Sequence, residues 1–154
     1  MTAAPFSSPL GEGWIGERGG AICALRFGTP PDGIVLSRSA LTDAAGRWLL
    51  SYFSGSREPF SLPLLLEGTQ FQRAVWNALL DIPYGETRTY AWLAARAGNP
   101  RACRAAGAAC GRNPVWIAVP CHRAVGADGS LTGYAGGLER KRALLDLERR
   151  SASC

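Results

Sequence analysis

One histidine occurs in the 154 residues of this chain, and it directly follows a cysteine in the run Val119-Pro120-Cys121-His122-Arg123. A thiol attacks carbon only as its thiolate, which an unperturbed cysteine forms near pH ~8.5, and imidazole is well suited to take that proton near neutrality. The expected chemistry is a nucleophilic sulfur with His122 as base and the charge of Arg123 favouring the thiolate. Ile117-Ala118-Val119 reads as a buried strand leading into the site, and Pro120 fixes the backbone so that Cys121 is rigidly presented. Neighbouring side chains on a strand point to opposite faces, so the Cys121–His122 link is expected either directly or across a water. A carboxylate to orient His122 has to come from downstream, where the acids are Asp128, Glu139, Asp146 and Glu148.

The other cysteines, 23, 103, 110 and 154, lack such neighbours and read as small buried hydrophobes. An odd total of five without C-x-x-C spacing, beside a single histidine, makes a zinc site unexpected, and no cofactor is called for. Reduced thiols point to the cytoplasm. Residues 1–11 have neither the basic start nor the apolar stretch of a secretory signal, and no apolar run approaches the roughly 20 residues a membrane helix needs. Residues 1–84 hold six Arg against seven acids, net −1, whereas 85–150 hold ten Arg and Lys141 against five acids, net +6. The positive field therefore belongs to the half with Cys121 and suits a polyanion, although sixteen of the seventeen cations are Arg, which composition bias alone also produces.

The elements that must position the site divide in two. Residues 21–27 and 33–37 are β-prone and flank the turn Pro30-Pro31-Asp32-Gly33, with residues 13–15 as an outer strand. Leu41, Ala45, Trp48, Leu49 and Tyr52 fall at helical spacing, and residues 54–59 read as a linker. Beyond it Thr69-Gln70-Phe71-Gln72 has the form of a capping box, and Phe71, Val75, Trp76, Leu79 and Leu80 make an apolar stripe ending at Ile82-Pro83-Tyr84-Gly85. A helix near Thr89–Gly98 is followed by a second over 101–110, with Asn99 as N-cap, Pro100 in its first turn and Gly111 as its stop; the pair reads as a helix-turn-helix. The second helix is almost without bulk at Ala102, Ala105, Ala106, Gly107, Ala108 and Ala109 and carries Arg101 and Arg104. Its small face serves either a neighbouring helix or a closely approaching nucleic acid.

Asn113-Pro114, Val119 to Arg123, Gly129, Thr132-Gly133-Tyr134-Ala135-Gly136-Gly137-Leu138 and residues 141–148, with Phe71-Gln72, Val75-Trp76, Ile82 to Gly85 and Tyr90 upstream, closely resemble the O6-alkylguanine-DNA alkyltransferases. The resemblance spans residues 69–148 and implies an α+β fold. Residues 1–63 would form a small sheet-plus-helix, ribonuclease H-like lobe with a linker. Residues 64–154 would form a mainly helical, winged helix-turn-helix-like domain holding the DNA-binding surface and active site. It implies direct, stoichiometric, self-inactivating transfer of an alkyl group from O6-alkylguanine in double-stranded DNA, and possible action on O4-alkylthymine, by a monomer with no membrane partner.

By the same resemblance Cys121 is the alkyl acceptor, His122 the base acting through water, Glu148 its orienting carboxylate, and Asn113 the hinge that ties the turn before the active strand to the helix-turn-helix. Tyr90 crowds the target phosphate and contacts the base, Tyr134 lines the alkyl pocket, the Ala135 amide donates to guanine O6, and the carbonyls of Cys121 and Ala124 accept from the exocyclic amine; Gly136 and Lys141 belong to the same substrate set. Arg104 fills the space of the extruded nucleotide, with Arg101, Ala102, Ala105, Arg112 and Arg123 on the DNA side. Flipping is required because a stacked base is out of reach of a buried sulfur. Ala124, small after the Pro-Cys-His-Arg run, and bulky Trp116 are expected to alter the pocket. Three other readings stay open: an alkyltransferase-like protein that binds lesions without transfer, which would lack the cysteine; a helix-turn-helix transcription regulator, for which Pro-Cys-His-Arg has no use; and a Cys-His-Glu hydrolase, which would turn over.

Overall fold

Two adjacent turns of the γ type carry the backbone into Cys121, where a strand was expected. The Ala118 amide donates to the Trp116 carbonyl (2.8 Å) about Ile117, whose φ is +71°, and the Cys121 amide donates to the Val119 carbonyl (2.8 Å) about Pro120, at φ −82° and ψ 64°. Proline is preset for the second turn. The first holds a β-branched residue in the left-handed region, which costs on the order of 1–2 kcal/mol.

The structure, a computed structural model, describes residues 1–152, so Cys154 lies outside the described residues. It has mixed α+β architecture in two compact units, Met1–Leu66 with Pro114–Ala118, and Glu67–Asn113 with Val119 onward. Residues 64–66 and 114–118 thus group with the first unit.

The first unit is a four-stranded sheet in the order β3-β2-β1-β4, built from β1 (Thr2–Ser8), β2 (Gly11–Arg18), β3 (Ala21–Phe27) and β4 (Val35–Leu36). The run at 13–15 is part of an inner strand. Its neighbour β1 was not anticipated, because Pro5 reads as a breaker. Only Thr2 and Ala3 pair with β4, so the side of β1 that Pro5 leaves without a donor asks for no further ladder bonds. Helix α1 (Ala40–Phe53) starts at a Ser39–Thr42 capping box and packs Ala45 and Leu49 on one sheet face, while Trp14 joins Ala3 and Ala24 on the other. The edge of β3 is extended by Leu64, bridged to Ile22, and by Val115, bridged to Leu25. Trp116 packs at a tilt against Phe27 (6.0 Å) and under Arg26 (5.4 Å) within this unit, and it is not among the residues that line the Cys121 cavity, contrary to expectation.

The second unit is mainly helical: α2 (Gln70–Leu80), β5 (Arg88–Thr89), α3 (Tyr90–Arg96), α4 (Cys103–Gly111), β6 (Ala124–Val125) and α5 (Leu138–Ala152). The Thr69–Gln72 capping box opens α2, and Thr89 caps α3. Asn99 does not cap α4. Its side chain accepts from the Arg101 amide and its carbonyl from the Ala102 amide, so residues 99–102 form a separate turn and α4 begins at Cys103 without a side-chain cap. The small residues of α4 divide between two sides of the helix. Ala106, Ala109 and Cys110 are buried, with the Trp76 indole of α2 donating to the Ala109 carbonyl (2.8 Å), while Arg104, Ala105, Ala108 and Arg112 are exposed.

Candidate active site

Cys121–Arg123 forms one 3-10 turn. Side chains in such a turn step round by a third of a revolution, so alternation does not apply. The turn sends Cys121 into a cavity and brings both His122 and Arg123 onto Glu148. His122 and Glu148 are fully buried, with His122 Nε2 2.6 Å from Glu148 Oε2. Arg123 clamps the same carboxylate, Nε to Oε1 at 2.8 Å and Nη2 to Oε2 at 3.0 Å, while its Nη1 donates to the Ile82 carbonyl (2.8 Å). The Gly85 amide adds a fourth donor at 3.2 Å. Gly85 has φ +81°, and a Cβ there would meet that of Ala152 at 2.8 Å, so the turn at 82–85 requires glycine.

Burial would push Glu148 up, but the hydrogen bonds and charges of His122 and Arg123 hold it well below the usual carboxylate range. Burial pushes His122 below its ordinary value, against the pull of Glu148. The imidazole is therefore neutral. Because the ionised carboxylate can only accept, Nε2 carries the proton and Nδ1 keeps a lone pair. That Nδ1 is buried with no hydrogen-bond partner among the described residues.

Cys121 departs from expectation. Burial pushes its thiol up to about 11, against an Asn113 hydrogen bond and the charge of Lys141. Arg123 does not activate it, being spent on Glu148 and Ile82. Nor is Arg123 placed as a DNA contact: its side chain is only 12% exposed and its fork is occupied. Asn113 is fully buried and donates Nδ2 to the Val119 carbonyl (2.7 Å), while its amide donates to Cys110 at the end of α4 (3.2 Å). It joins the active turn to the helix before it.

Lys141 sits where no free substrate contact is available. Fully buried, it donates Nζ to the carbonyls of Ala124 (2.6 Å), Thr132 (3.1 Å) and Gly133 (3.2 Å), with Tyr90 Oη at 3.4 Å. Three N–H bonds cannot exceed these partners, so its structural task is to tie β6 and the 132–133 loop to Tyr90, whose hydroxyl also donates to Thr132 (2.7 Å). The Ala124 carbonyl, expected to meet a guanine amine, already accepts this ammonium.

A cavity of about 100 Å³ opens onto Cys121, walled by Tyr90, Tyr134, Gly107, Gly133 and Cys110. The tyrosines were anticipated; Cys110 was not. Ala135 is exposed beside the cavity loop, and Gly136 is buried with its carbonyl accepting from Arg140 (3.1 Å). Arg101, Arg104 and Arg112 are exposed along the segment of α4, with Ala102 half-buried. Among the described residues no group of His, Cys, Asp and Glu could hold a metal ion, and no helix is long and apolar enough to cross a membrane.

The family model described as "6-O-methylguanine DNA methyltransferase, DNA binding domain" matches residues 70–150. A methylated-DNA–protein-cysteine methyltransferase of Methanosarcina acetivorans is 58% identical over 104 residues, 68% of this chain and 67% of that protein. The inducible one of Bacillus subtilis is 55% identical over 105 residues, 68% of this chain and 59% of its own length, so the matched stretch spans about two thirds or less of these relatives. The crystal structure of Mycobacterium tuberculosis OGT in complex with DNA superimposes with a TM-score of 0.92 at 44% identity, covering 98% of this chain and 94% of that one. With more than half its length under the family model and a site built on the Cys-His-Glu set, the chain belongs to the 6-O-methylguanine DNA methyltransferase family.

Proposed function

We propose that this protein repairs alkylated DNA by moving the alkyl group of O6-alkylguanine onto Cys121, once per molecule. The observation that carries the reading is a buried thiol lining a small cavity, followed in sequence by a buried neutral imidazole whose Nε2 is locked to Glu148 and whose Nδ1 is left without a partner among the described residues. Duplex DNA meets the exposed, low-bulk, arginine-bearing side of α4, and the lesion base is extruded into the cavity while Arg104 occupies its place in the stack. Tyr90 and Tyr134 flank the base.

The thiol rests protonated, so its proton leaves as the new bond forms, through water to His122 Nδ1. The Cys121 sulfur attacks the alkyl carbon in line, the carbon–O6 bond breaks, and the guanine leaves as an anion that the Ala135 amide stabilises at O6. Glu148 and Arg123 never touch substrate; they are positioning residues that hold the tautomer with Nδ1 free. Lys141 fixes the loop bearing Tyr134 and adds a buried positive charge that favours sulfur ionisation. The methyl thioether is stable, so the protein is consumed. The described cysteines form no disulfide with one another, in keeping with a reducing cytoplasmic setting.

Excess duplex containing O6-methylguanine tests this. Demethylation should stop at one methyl per protein and be absent in Cys121→Ser. Continued turnover, or binding without methyl transfer, overturns the proposal.

A further inference from the structure

Two buried thiols face one cavity. Among the described cysteines only Cys110 and Cys121 are buried, both are free, and both line the same space of about 100 Å³. Cys110 ends α4 at 6% exposure, and the proposed transfer makes no use of it. Burial, and then the neighbouring Cys121 sulfur, push its thiol up to about 12. A thiol held protonated does not compete for a methyl group. It becomes a nucleophile only when a strong electrophile forms beside it and its proton passes to water as the new bond forms.

We propose that Cys110 is a second acceptor for bifunctional two-carbon lesions: when Cys121 takes a 2-haloethyl group from guanine O6, Cys110 displaces the halide and an ethylene bridge joins the two sulfurs. This rests on the alkyl-transfer reading above. Transfer leaves Cys121 as a 2-haloethyl thioether, whose sulfur expels halide to give a three-membered episulfonium ion. The Cys110 sulfur opens that ring; a carbon–sulfur bond forms as one in the ring breaks, the thiol proton passes to water, and halide leaves. Nothing is oxidised or reduced, and the products are the bridged protein, one proton and one halide ion. A –CH2–CH2– unit is short, which suits a cavity this small. The reactive thioether is then consumed inside the protein, where otherwise it would alkylate the bound DNA.

The test uses the full chain with two duplexes, one holding O6-methylguanine and one freshly treated with a chloroethylating nitrosourea. Methyl transfer to Cys121 from the first reports the underlying reaction. From the second, intact mass should show two thiol hydrogens replaced by C2H4 with no chlorine isotope pattern. Trypsin should yield residues 105–112 linked to 113–123. Cys110→Ser, whatever its rate, should give only hydroxyethyl or chloroethyl Cys121, or protein attached to DNA. Normal methyl transfer with no 105–112 to 113–123 link, or a link to Tyr90 or Tyr134, overturns the role of Cys110. Loss of methyl transfer itself overturns both readings.

Discussion

Replacing Glu148 by glutamine removes one charge and exchanges one oxygen for an NH2, and the geometry offers that amide no good orientation. With nitrogen at the Oε1 position it faces two donors, Arg123 Nε (2.8 Å) and the Gly85 amide (3.2 Å). With nitrogen at the Oε2 position it faces Arg123 Nη2 (3.0 Å) and His122 Nε2 (2.6 Å), and the imidazole can answer only by moving its proton to Nδ1. The first arrangement leaves a guanidinium short of its partner. The second destroys the lone pair that receives the sulfur proton. Removing one side of a buried ion pair costs about 3–5 kcal/mol, or roughly 10 °C in melting temperature for a chain of this size. Loss of general-base assistance should slow single-turnover transfer by about 10²–10⁴-fold. Thermal melting and a rapid-quench time course on an O6-methylguanine duplex measure the two effects separately, and a Glu148→Gln protein within threefold of the parent rate would refute the tautomer argument.

Arg104→Ala should weaken duplex binding and reduce the slope of log affinity against log salt by about 1, whereas Arg123→Ala should leave the slope unchanged and lower stability instead; equal slope changes would contradict the separation drawn between these arginines. Lys141→Met takes the ammonium from the Ala124 and Gly133 carbonyls and leaves Thr132 with the Tyr90 hydroxyl alone, which costs about 1–3 kcal/mol. It should also move the alkaline rise of iodoacetamide reactivity at Cys121 to higher pH, because the Lys141 charge opposes the upward shift; an unmoved profile would contradict that coupling. The melting temperature should be highest between about pH 6.5 and 8.5. Below that window His122, lowered by burial, takes up its proton more readily unfolded, so stability falls as pH drops. Above it the thiols of Cys121 and Cys110, raised to about 11 and about 12, hold protons that the unfolded chain releases, so stability falls as pH rises. A melting temperature still climbing at pH 10 is the contrary result.

Cys121 and His122 were legible because their chemistry is rare in this composition, one histidine with a cysteine beside it, whereas Glu148 was one of four downstream acids and only the family resemblance singled it out. The helix pair was legible from spacing and small-residue content. Arg123 was misjudged because sequence adjacency suggests charge next to the thiol, while the 3-10 turn and the buried carboxylate direct it elsewhere. The strand expected before Cys121 failed for a related reason. Apolar runs of three residues do not distinguish a strand from paired γ-turns, and nothing local signals that Ile117 has positive φ. Cys110 passed as a packing residue since only the tertiary fold brings the end of α4 to the Cys121 cavity. Strand β1 was hidden by Pro5, whose cost vanishes once pairing with β4 stops at Ala3.

The most direct measurement follows the carbon itself: duplex DNA with a ¹³C-labelled O6-methyl group is mixed with the protein, and tryptic peptides are sequenced by mass spectrometry. The label should sit on Cys121 within residues 113–123, one per chain, with unmodified guanine left in the DNA. Label released as methanol, or carried on any other residue, would contradict the account.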